Sequence, residues 1–205
     1  MAEQSTRNGR DNALARELVV RVEERSSASP GSVYEVLADL RSHTTWAGER
    51  QKKNTRLLSL EAPAGAAMVG TEFQTTGADP MGTFADRSVV TEAAPGKAFE
   101  FVTEARLTTK KSKVADWTNV HRYEVTSEGD GCRIVYTIRI IRISELPGML
   151  ALFKVPGLRA LGLKASSGVA RRGVRNLARW TESRSTTNRG REGRGDLSRG
   201  VGRSG

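Results

Sequence analysis

Apolar and polar residues alternate over short stretches through most of the chain, beginning with Leu18, Val20 and Val22. Because successive side chains of a β-strand point to opposite faces, each stretch predicts a half-buried strand. Turn signals such as APGK and SEGDG separate the stretches. The predicted strands span residues 17–25, 54–60, 71–76, 83–92, 99–105, 117–126 and 132–140. Strands joined by short turns in this way are typical of an antiparallel meander.

Two short helices are predicted directly after the first strand. Ser29 is a suitable N-cap, and Pro30 stands at the first helical position, where a backbone N–H has no helical acceptor. Apolar residues then follow at helical spacing up to Leu40, which predicts a short amphipathic helix. The segment RSHTTW continues as a turn or second short helix that ends near Trp46. His43, within that segment, is interpreted as a surface or loop-capping residue rather than a ligand.

A long C-terminal helix is predicted from Pro156 to Glu182. On a helical wheel, one broad arc mixes large apolar residues with Gly, Ala and Ser, and the other side is basic. The arc comprises Leu158, Leu161, Gly162, Ala165, Ser166, Val169, Gly173, Leu177 and Trp180, and the basic side comprises Lys164, Arg171, Arg172, Arg175 and Arg179. Such an arc indicates a helix that covers a curved sheet without filling the space beneath it.

The segments that flank this body differ from it in composition. Residues 1–16 are polar and predict a flexible leader, whereas residues 184–205 are rich in Gly, Ser and Arg and predict a disordered tail. Residues 17–183 are the predicted folded domain. The leader lacks the apolar stretch of a secretory signal, and no run of about 18 apolar residues occurs, so we expect a cytoplasmic protein. Cys132, the single cysteine, is expected to be a small buried residue.

The net charge of +10 is confined to one part of the chain. Residues 154–205 hold 13 Lys and Arg against 3 acidic residues, and residues 1–153 hold 20 of each. A basic helix face of this kind is usually a solvated surface. The more specific alternative is association with an anionic membrane through Lys164, Arg171, Arg175, Arg179 and the tail. Nucleic-acid binding is the less favoured alternative, because the body of the protein is neutral.

Several motifs in fixed order carry a family resemblance. They are the first strand with its helix, VVRVEERSSASPGSVYEVLADLRSHTTW, and the later segments MVGTEFQ, VVTEAAPGKAFEF and GCRIVYTI. They resemble the SRPBCC superfamily, the START-like or helix-grip fold of polyketide cyclase/dehydrase and lipid-transport proteins, with Asp39 and Trp46 at the corresponding places. The resemblance covers residues 17–183 and implies an α+β fold. In that fold a seven-stranded curved antiparallel sheet surrounds the long C-terminal helix.

The resemblance also implies a largely apolar cavity between sheet and helix that binds a small hydrophobic ligand, a lipid or a polyketide-like molecule. It implies no particular reaction, because the superfamily includes carriers, receptors and enzymes. Strand alternation predicts the side chains that line the cavity. They are Phe73, Phe84, Ser88, Phe101, Thr103, Trp117, Asn119, Tyr123 and Tyr136 on the sheet, with Leu161, Ala165 and Val169 on the helix.

Two titratable side chains, His121 and Asp86, share this predicted face. A histidine transfers protons near neutral pH, and a buried carboxylate would orient it, as cyclisation or dehydration of a poly-keto chain requires. Tyr123, Tyr136 and Asn119 are candidate hydrogen-bond donors to an enolate. The alternatives are that these polar groups orient a ligand, or that they only satisfy one another.

Arg87 faces outward, whereas the resemblance to polyketide cyclases implies an arginine inside the cavity, so the enzyme hypothesis is the weaker one.

Motifs for metal-dependent, nucleotide-dependent and serine-hydrolase chemistry do not occur in this sequence. The two histidines are 78 positions apart and no Cys-x-x-Cys pair occurs, so no metal site is predicted. Neither a phosphate loop nor a Gly-x-Ser-x-Gly nucleophile is present, and no cofactor is predicted. The sequence therefore predicts a ligand-binding protein, with cyclase, aromatase or dehydratase activity as the alternative.

Overall fold

The structure, a computed structural model, describes residues 18–48, 56–78, 82–143 and 156–195. Two α-helices are present in these ranges, α1 (Pro30–Ala38) and α2 (Pro156–Gly195), with a 3₁₀ turn over Leu40–Ser42 and a π-helical turn over Thr44–Gly48 between α1 and the second strand. The strands are β1 (Leu18–Ser26), β2 (Arg56–Glu61), β3 (Glu72–Ala78), β4 (Gly82–Ala94), β5 (Ala98–Thr109), β6 (Val114–Glu128) and β7 (Gly131–Ile143).

The strands form one antiparallel sheet in the order β1-β7-β6-β5-β4-β3-β2. Strands β2 to β7 thus follow one another as a meander, and β1 pairs beside β7. Register shifts between Val90 and Glu92 and between Thr118 and Asn119 mark bulges, which bend a sheet. The curved sheet, the short helices after β1 and the long C-terminal helix confirm the predicted fold class.

The chain enters α1 as its sequence predicts. The side-chain oxygen of Ser29 accepts a hydrogen bond from the backbone N–H of Ser32 at 3.1 Å, and Pro30 occupies the first turn. The helical turns that follow bring Trp46 into the core. Its carbonyl oxygen accepts a hydrogen bond from Asn176 Nδ2 at 3.2 Å, which connects this segment to α2.

The hydrophobic core lies between the concave face of the sheet, α1 and the later part of α2. Leu37 of α1, Phe99 of β5, Ile134 of β7 and Leu177 of α2 are among its largest fully buried side chains. Cys132 is buried as well, as expected. Because each of these elements contributes side chains to one cluster, apolar packing holds α2 against the sheet.

Helix α2 begins at Pro156, as predicted, and continues past Glu182 to Gly195. The prediction of a disordered tail therefore differs from the structure over residues 184–195, while residues 1–17 and 196–205 lie outside the described residues. Hydroxyl side chains in this segment bond to backbone carbonyls one turn earlier, which satisfies them within the helix. The bonds run from Ser185 to Thr181, from Thr186 to Glu182 and from Thr187 to Ser183, at 3.1, 3.0 and 2.9 Å.

Candidate functional site

The predicted inward positions of the central strands share the concave face of the sheet, where strand register arranges them in rows. One row holds Asp86, Ala105 and Trp117, the next Ser88, Thr103 and Asn119, the third Val90, Phe101, His121 and Ile138, and the fourth Phe99, Tyr123 and Tyr136. The strand alternation therefore predicts correctly which of these residues share one face of the sheet.

Aromatic rings fill one end of this face. Phe101 contacts Phe73 with ring centroids 5.3 Å apart, and Tyr123 stacks on Tyr136 at 4.6 Å. Trp46 joins them from the turn after α1, with its ring 6.2 Å from that of Tyr123. All five side chains are buried members of the core. At this end, the side chains predicted to line a cavity pack against the protein itself.

Part of the concave face is less completely covered. Phe84, Asp86, Trp117, His121 and Ile138 lie on this face and yet are only half-buried. An inward-facing side chain that solvent still reaches has unfilled space in front of it. The structure thus divides the predicted cavity residues into a packed core and a group that solvent reaches.

The helix contributes three of the predicted cavity residues. Val169 is half-buried on α2, and Gly173, one turn further along the same arc, is buried. Leu161 and Ala165 belong to the same helix, and their side chains lie outside the described residues.

His121 lies against an aromatic ring and a hydroxyl. Its imidazole stacks on Phe101 with centroids 4.6 Å apart, and its Nδ1 is 2.7 Å from the hydroxyl oxygen of Tyr136. Burial, reinforced by the nearby His43, lowers the pKa of His121 to about 4, so the imidazole is uncharged at neutral pH. Its Nε2 has no hydrogen-bond partner among the described residues.

The structure does not bring Asp86 and His121 together. Asp86 lies opposite Ala105, whereas His121 lies opposite Phe101, four residues away on β5. Four residues correspond to about 13 Å along a strand, and two strand spacings add about 10 Å across the sheet. The two side chains therefore do not form the predicted acid–base pair, and the Tyr136 hydroxyl takes the place of the carboxylate.

The environment of Asp86 is nevertheless unusual for a carboxylate. Burial raises the pKa of Asp86 to about 6, against a lowering effect from the backbone N–H of Arg106. Its Oδ1 is sealed from solvent and has no hydrogen-bond partner among the described residues, and the same is true of Asn119 Oδ1. The hydroxyls of Ser88 and Thr103, in contrast, lie 2.9 Å apart and satisfy each other. Two acceptors on the concave face are left unpaired.

His43 is a residue of this site that the sequence interpretation misses. It is 6% exposed, so the surface assignment is wrong, while the 2.9 Å contact of its Nε2 with the Leu37 carbonyl oxygen agrees with a capping role. Its ring lies 4.7 Å from that of Trp46. Burial lowers the pKa of His43 to about 4, against raising effects from the Leu37 carbonyl and Asp39. The three-residue spacing of His43 and Trp46 in a helical segment is the sequence signal for a shared face.

Solved protein structures share this architecture, whereas no protein-family model and no curated protein matches the chain. TTHA0849 from Thermus thermophilus superposes with a TM-score of 0.58 at 17% identity, over 82% of this chain and 99% of that one. An uncharacterised protein from Rhizobium leguminosarum gives 0.56 at 12% identity, over 82% and 96%. KanY, which belongs to the SRPBCC superfamily, gives 0.50 at 13% identity, over 82% and 99%. The chain has the helix-grip fold. At these identities the likeness shows the fold, and the function has to be argued from the site.

The outer side of the helix in this helix-grip protein is basic. Arg175 contacts the sheet, because its Nε lies 3.2 Å from Glu24 Oε2 on β1. The remaining cations of this face are exposed and form no ion pair with a described residue: Lys164, Arg171, Arg172 and Arg179. The basic face is therefore free over most of its described length.

The rest of the described surface holds one further groove and no metal-binding cluster. A groove of about 410 Å³ lies along β3 to β5 and is lined mainly by outward-facing side chains, among them Glu72, Arg87 and Glu104. No group of three or more His, Cys, Asp or Glu among the described residues is placed to hold a metal ion. Over the same residues, the helices are too short or too polar to cross a bilayer.

Proposed function

We propose that this helix-grip protein binds a small, largely apolar molecule between the concave face of its sheet and α2. The observation that carries the proposal is the half-buried state of Trp117, His121 and Ile138, which would be buried if α2 filled the space against them. The half-buried part of the face is largely aromatic and aliphatic, through Phe84, Trp117 and Ile138, and its polar groups are Asp86 and His121. A small number of polar groups in an otherwise apolar lining is typical of small-molecule sites.

The surroundings of His121 favour binding over catalysis. A base with a pKa of about 4 removes protons poorly at neutral pH, and no carboxylate of a described residue hydrogen-bonds to its imidazole. A cyclase, aromatase or dehydratase would have to work through Nε2 of His121 with the Tyr136 hydroxyl on the other nitrogen. The same concave face needs no such chemistry to hold an apolar ligand.

Replacing Ile138 with Trp is expected to weaken the binding of Nile red, an uncharged apolar dye, by roughly tenfold. The larger side chain would occupy space that the ligand uses, because Ile138 is half-buried on the concave face. Fluorescence titration of the purified full chain measures the affinity. The matched control is Ile141→Trp in the same strand, where Ile141 is 50% exposed, and this variant should bind the dye as the wild type does.

Two outcomes would contradict the proposal. One is dye binding no stronger than to the denatured chain, together with no co-purifying ligand by native mass spectrometry. The other is equal loss of affinity in the Ile138→Trp and Ile141→Trp variants, because the dye would then not distinguish the concave face from the exposed surface.

A second function is favoured by the basic face of α2. We propose that this face associates with anionic membrane surfaces through Lys164, Arg171, Arg172 and Arg179, which are exposed and form no ion pair with a described residue. Arg175 contributes less than the sequence predicts, since it is engaged with Glu24. A basic residue near an anionic leaflet contributes about 1 kcal/mol, so these four suffice for measurable binding at low salt. The basic tail adds further charge.

The double variant Arg171→Glu with Arg179→Glu is expected to lose at least about tenfold in affinity for phosphatidylserine-containing vesicles, because two attractive charges become repulsive. A flotation assay measures the bound fraction. The control variant is Arg87→Glu with Lys97→Glu, which reverses two exposed charges away from α2. Equal flotation of the wild type on neutral and anionic vesicles, or no flotation, would argue against the electrostatic role.

A further inference from the structure

The loop between β2 and β3 carries large apolar side chains on its outer side. Residues 62–70, with the sequence APAGAAMVG, include no charged residue. Met68 is 70% exposed and Val69 is 64% exposed, which places both among the three most exposed large apolar side chains of the described residues. Exposed apolar side chains that adjoin one another, rather than lying singly, mark interaction surfaces. Met68 and Val69 are called the loop tip below.

Two backbone hydrogen bonds fix this loop on the rest of the protein. The N–H of Ala67 donates to the carbonyl oxygen of Ala38, at the end of α1, over 2.8 Å. The N–H of Gly70 donates to the carbonyl oxygen of Val90, on β4, also over 2.8 Å. The loop is thus held on both sides of its tip. Because the tip is already ordered, little conformational entropy is lost when it contacts a surface.

The backbone of Met68 is satisfied within the loop itself. Its N–H donates to the hydroxyl oxygen of Thr71 at 2.9 Å, and its carbonyl oxygen accepts from the N–H of Thr71 at 3.0 Å. A backbone polar group that enters lipid without a partner is costly, since the hydrocarbon offers no hydrogen bond. Met68 is therefore able to leave water without bringing an unpaired backbone group into an apolar medium.

The small size of the loop tip favours a bilayer over a protein partner. Its two side chains offer far less area than the roughly 800 Å² that each partner buries in a specific protein–protein interface. The exposed residues before the tip, Ala64, Gly65 and Ala66, add little side chain. Association with a lipid surface needs no complementary pocket, and its strength grows with the apolar area that leaves water.

The charges around the loop favour an approach from the side of α1. Arg41, in the turn after α1, is exposed, and its Nη2 donates to the carbonyl oxygen of Ala62 at 3.2 Å. This contact places a cation at the start of the loop, where it complements an anionic headgroup. The acidic residues at the two ends of the loop, Glu61 and Glu72, belong by strand register to the convex face of the sheet.

We propose that the loop tip inserts into the surface of a lipid bilayer that contains anionic lipid, with Met68 and Val69 among the acyl chains and Arg41 at the headgroups. The inference rests on the membrane association proposed above and names the part of the chain that enters the bilayer. It adds an apolar contact to the electrostatic one of α2, and salt does not screen such a contact.

A fluorophore at the loop tip tests the insertion. Val69→Cys is labelled with nitrobenzoxadiazole, and the native Cys132 escapes labelling because it is 1% exposed. The emission should rise several-fold on phosphatidylcholine vesicles that contain phosphatidylserine, and lipids brominated on their acyl chains should quench it. The matched control is the labelled Leu58→Cys variant, which should show neither effect. Leu58 is 65% exposed and lies on β2, roughly 13 Å before the loop begins.

A second variant removes the apolar contact and leaves the basic face of α2 intact. Met68→Ser with Val69→Ser should lose at least about tenfold in affinity for the same vesicles in flotation, because burying either side chain is worth about that factor. Leu58→Ser should float as the wild type does. Both tip residues are exposed, so the urea midpoint should stay unchanged, which separates lost binding from lost folding.

The outcomes separate this inference from the association on which it rests. If the wild type does not float on anionic vesicles, the membrane association falls and the insertion falls with it. If the wild type floats but the label at residue 69 keeps its emission in water, or the serine variant floats equally well, the association through α2 stands and the insertion is overturned. The insertion is likewise overturned if the emission rises without vesicles as the protein concentration increases, because the tip would then contact a second copy.

Discussion

Replacing Leu177 with Ala is expected to lower the free energy of unfolding by about 3 kcal/mol. Leu177 is 0% exposed and packs from α2 into the core that this helix shares with the sheet and α1. The substitution removes three carbon atoms from a close-packed site and leaves a cavity, since neighbouring backbone is fixed by strands. Urea unfolding followed by circular dichroism, analysed at constant slope, measures the loss.

The control for this substitution lies on the same helix. Arg172 is exposed and forms no ion pair with a described residue, so Arg172→Ala should change the free energy of unfolding by no more than about 0.5 kcal/mol. If Leu177→Ala unfolds at the same urea concentration as Arg172→Ala, then α2 is not held to the sheet by this packing. In that case α2 would not form a fixed side of the proposed ligand-binding cavity.

The wild type is expected to lose several kcal/mol of stability between pH 6.5 and pH 4. Burial lowers the pKa of both His43 and His121 from 6.5 to about 4. The unfolded chain therefore binds these protons first, so the stability is complete above pH 6.5 and falls as the pH approaches 4. Each histidine contributes a loss of up to about 3 kcal/mol, and protonating both adds repulsion between them.

The variant His43→Gln isolates one of these contributions. Its amide retains a donor for the Leu37 carbonyl but does not titrate, so its stability should fall less steeply from pH 6.5 to 4 than that of the wild type. Urea unfolding at pH 7.5, 6, 5 and 4 measures both curves. Parallel curves would show that His43 is not a buried neutral histidine. The substitution's own effect on packing is read at pH 7.5, where His43 is uncharged in both states.

Much of the concave face follows from alternation alone. A period of two assigns Ser88, Thr103, Asn119 and His121 to one face however the strands later pair, and the structure places them there. Alternation does not give the row in which a side chain lies. Register depends on turns and on bulges such as the one after Val90, which local sequence does not reveal.

Asp86 and His121 show why the face alone does not predict which side chains meet. Both are polar residues on the correct face, which made them a plausible pair by sequence. The register places them two rows apart on strands that are not neighbours, and it places Tyr136 beside His121 instead. The unpaired oxygens of Asp86 and Asn119 are likewise beyond sequence reasoning, because pairing is a property of the assembled face.

The sequence by itself determined the order of strands and helices, the entry into α1, the start of α2 and the confinement of net charge to the C-terminal segment. These features depend on periodicity, capping and composition among residues close in the chain. Only the tertiary structure decided that His43 is buried, that Arg175 is engaged with Glu24 and that some side chains of the concave face remain partly uncovered. Each of these depends on how closely α1, α2 and the curved sheet approach one another, which is set by packing between residues far apart in sequence.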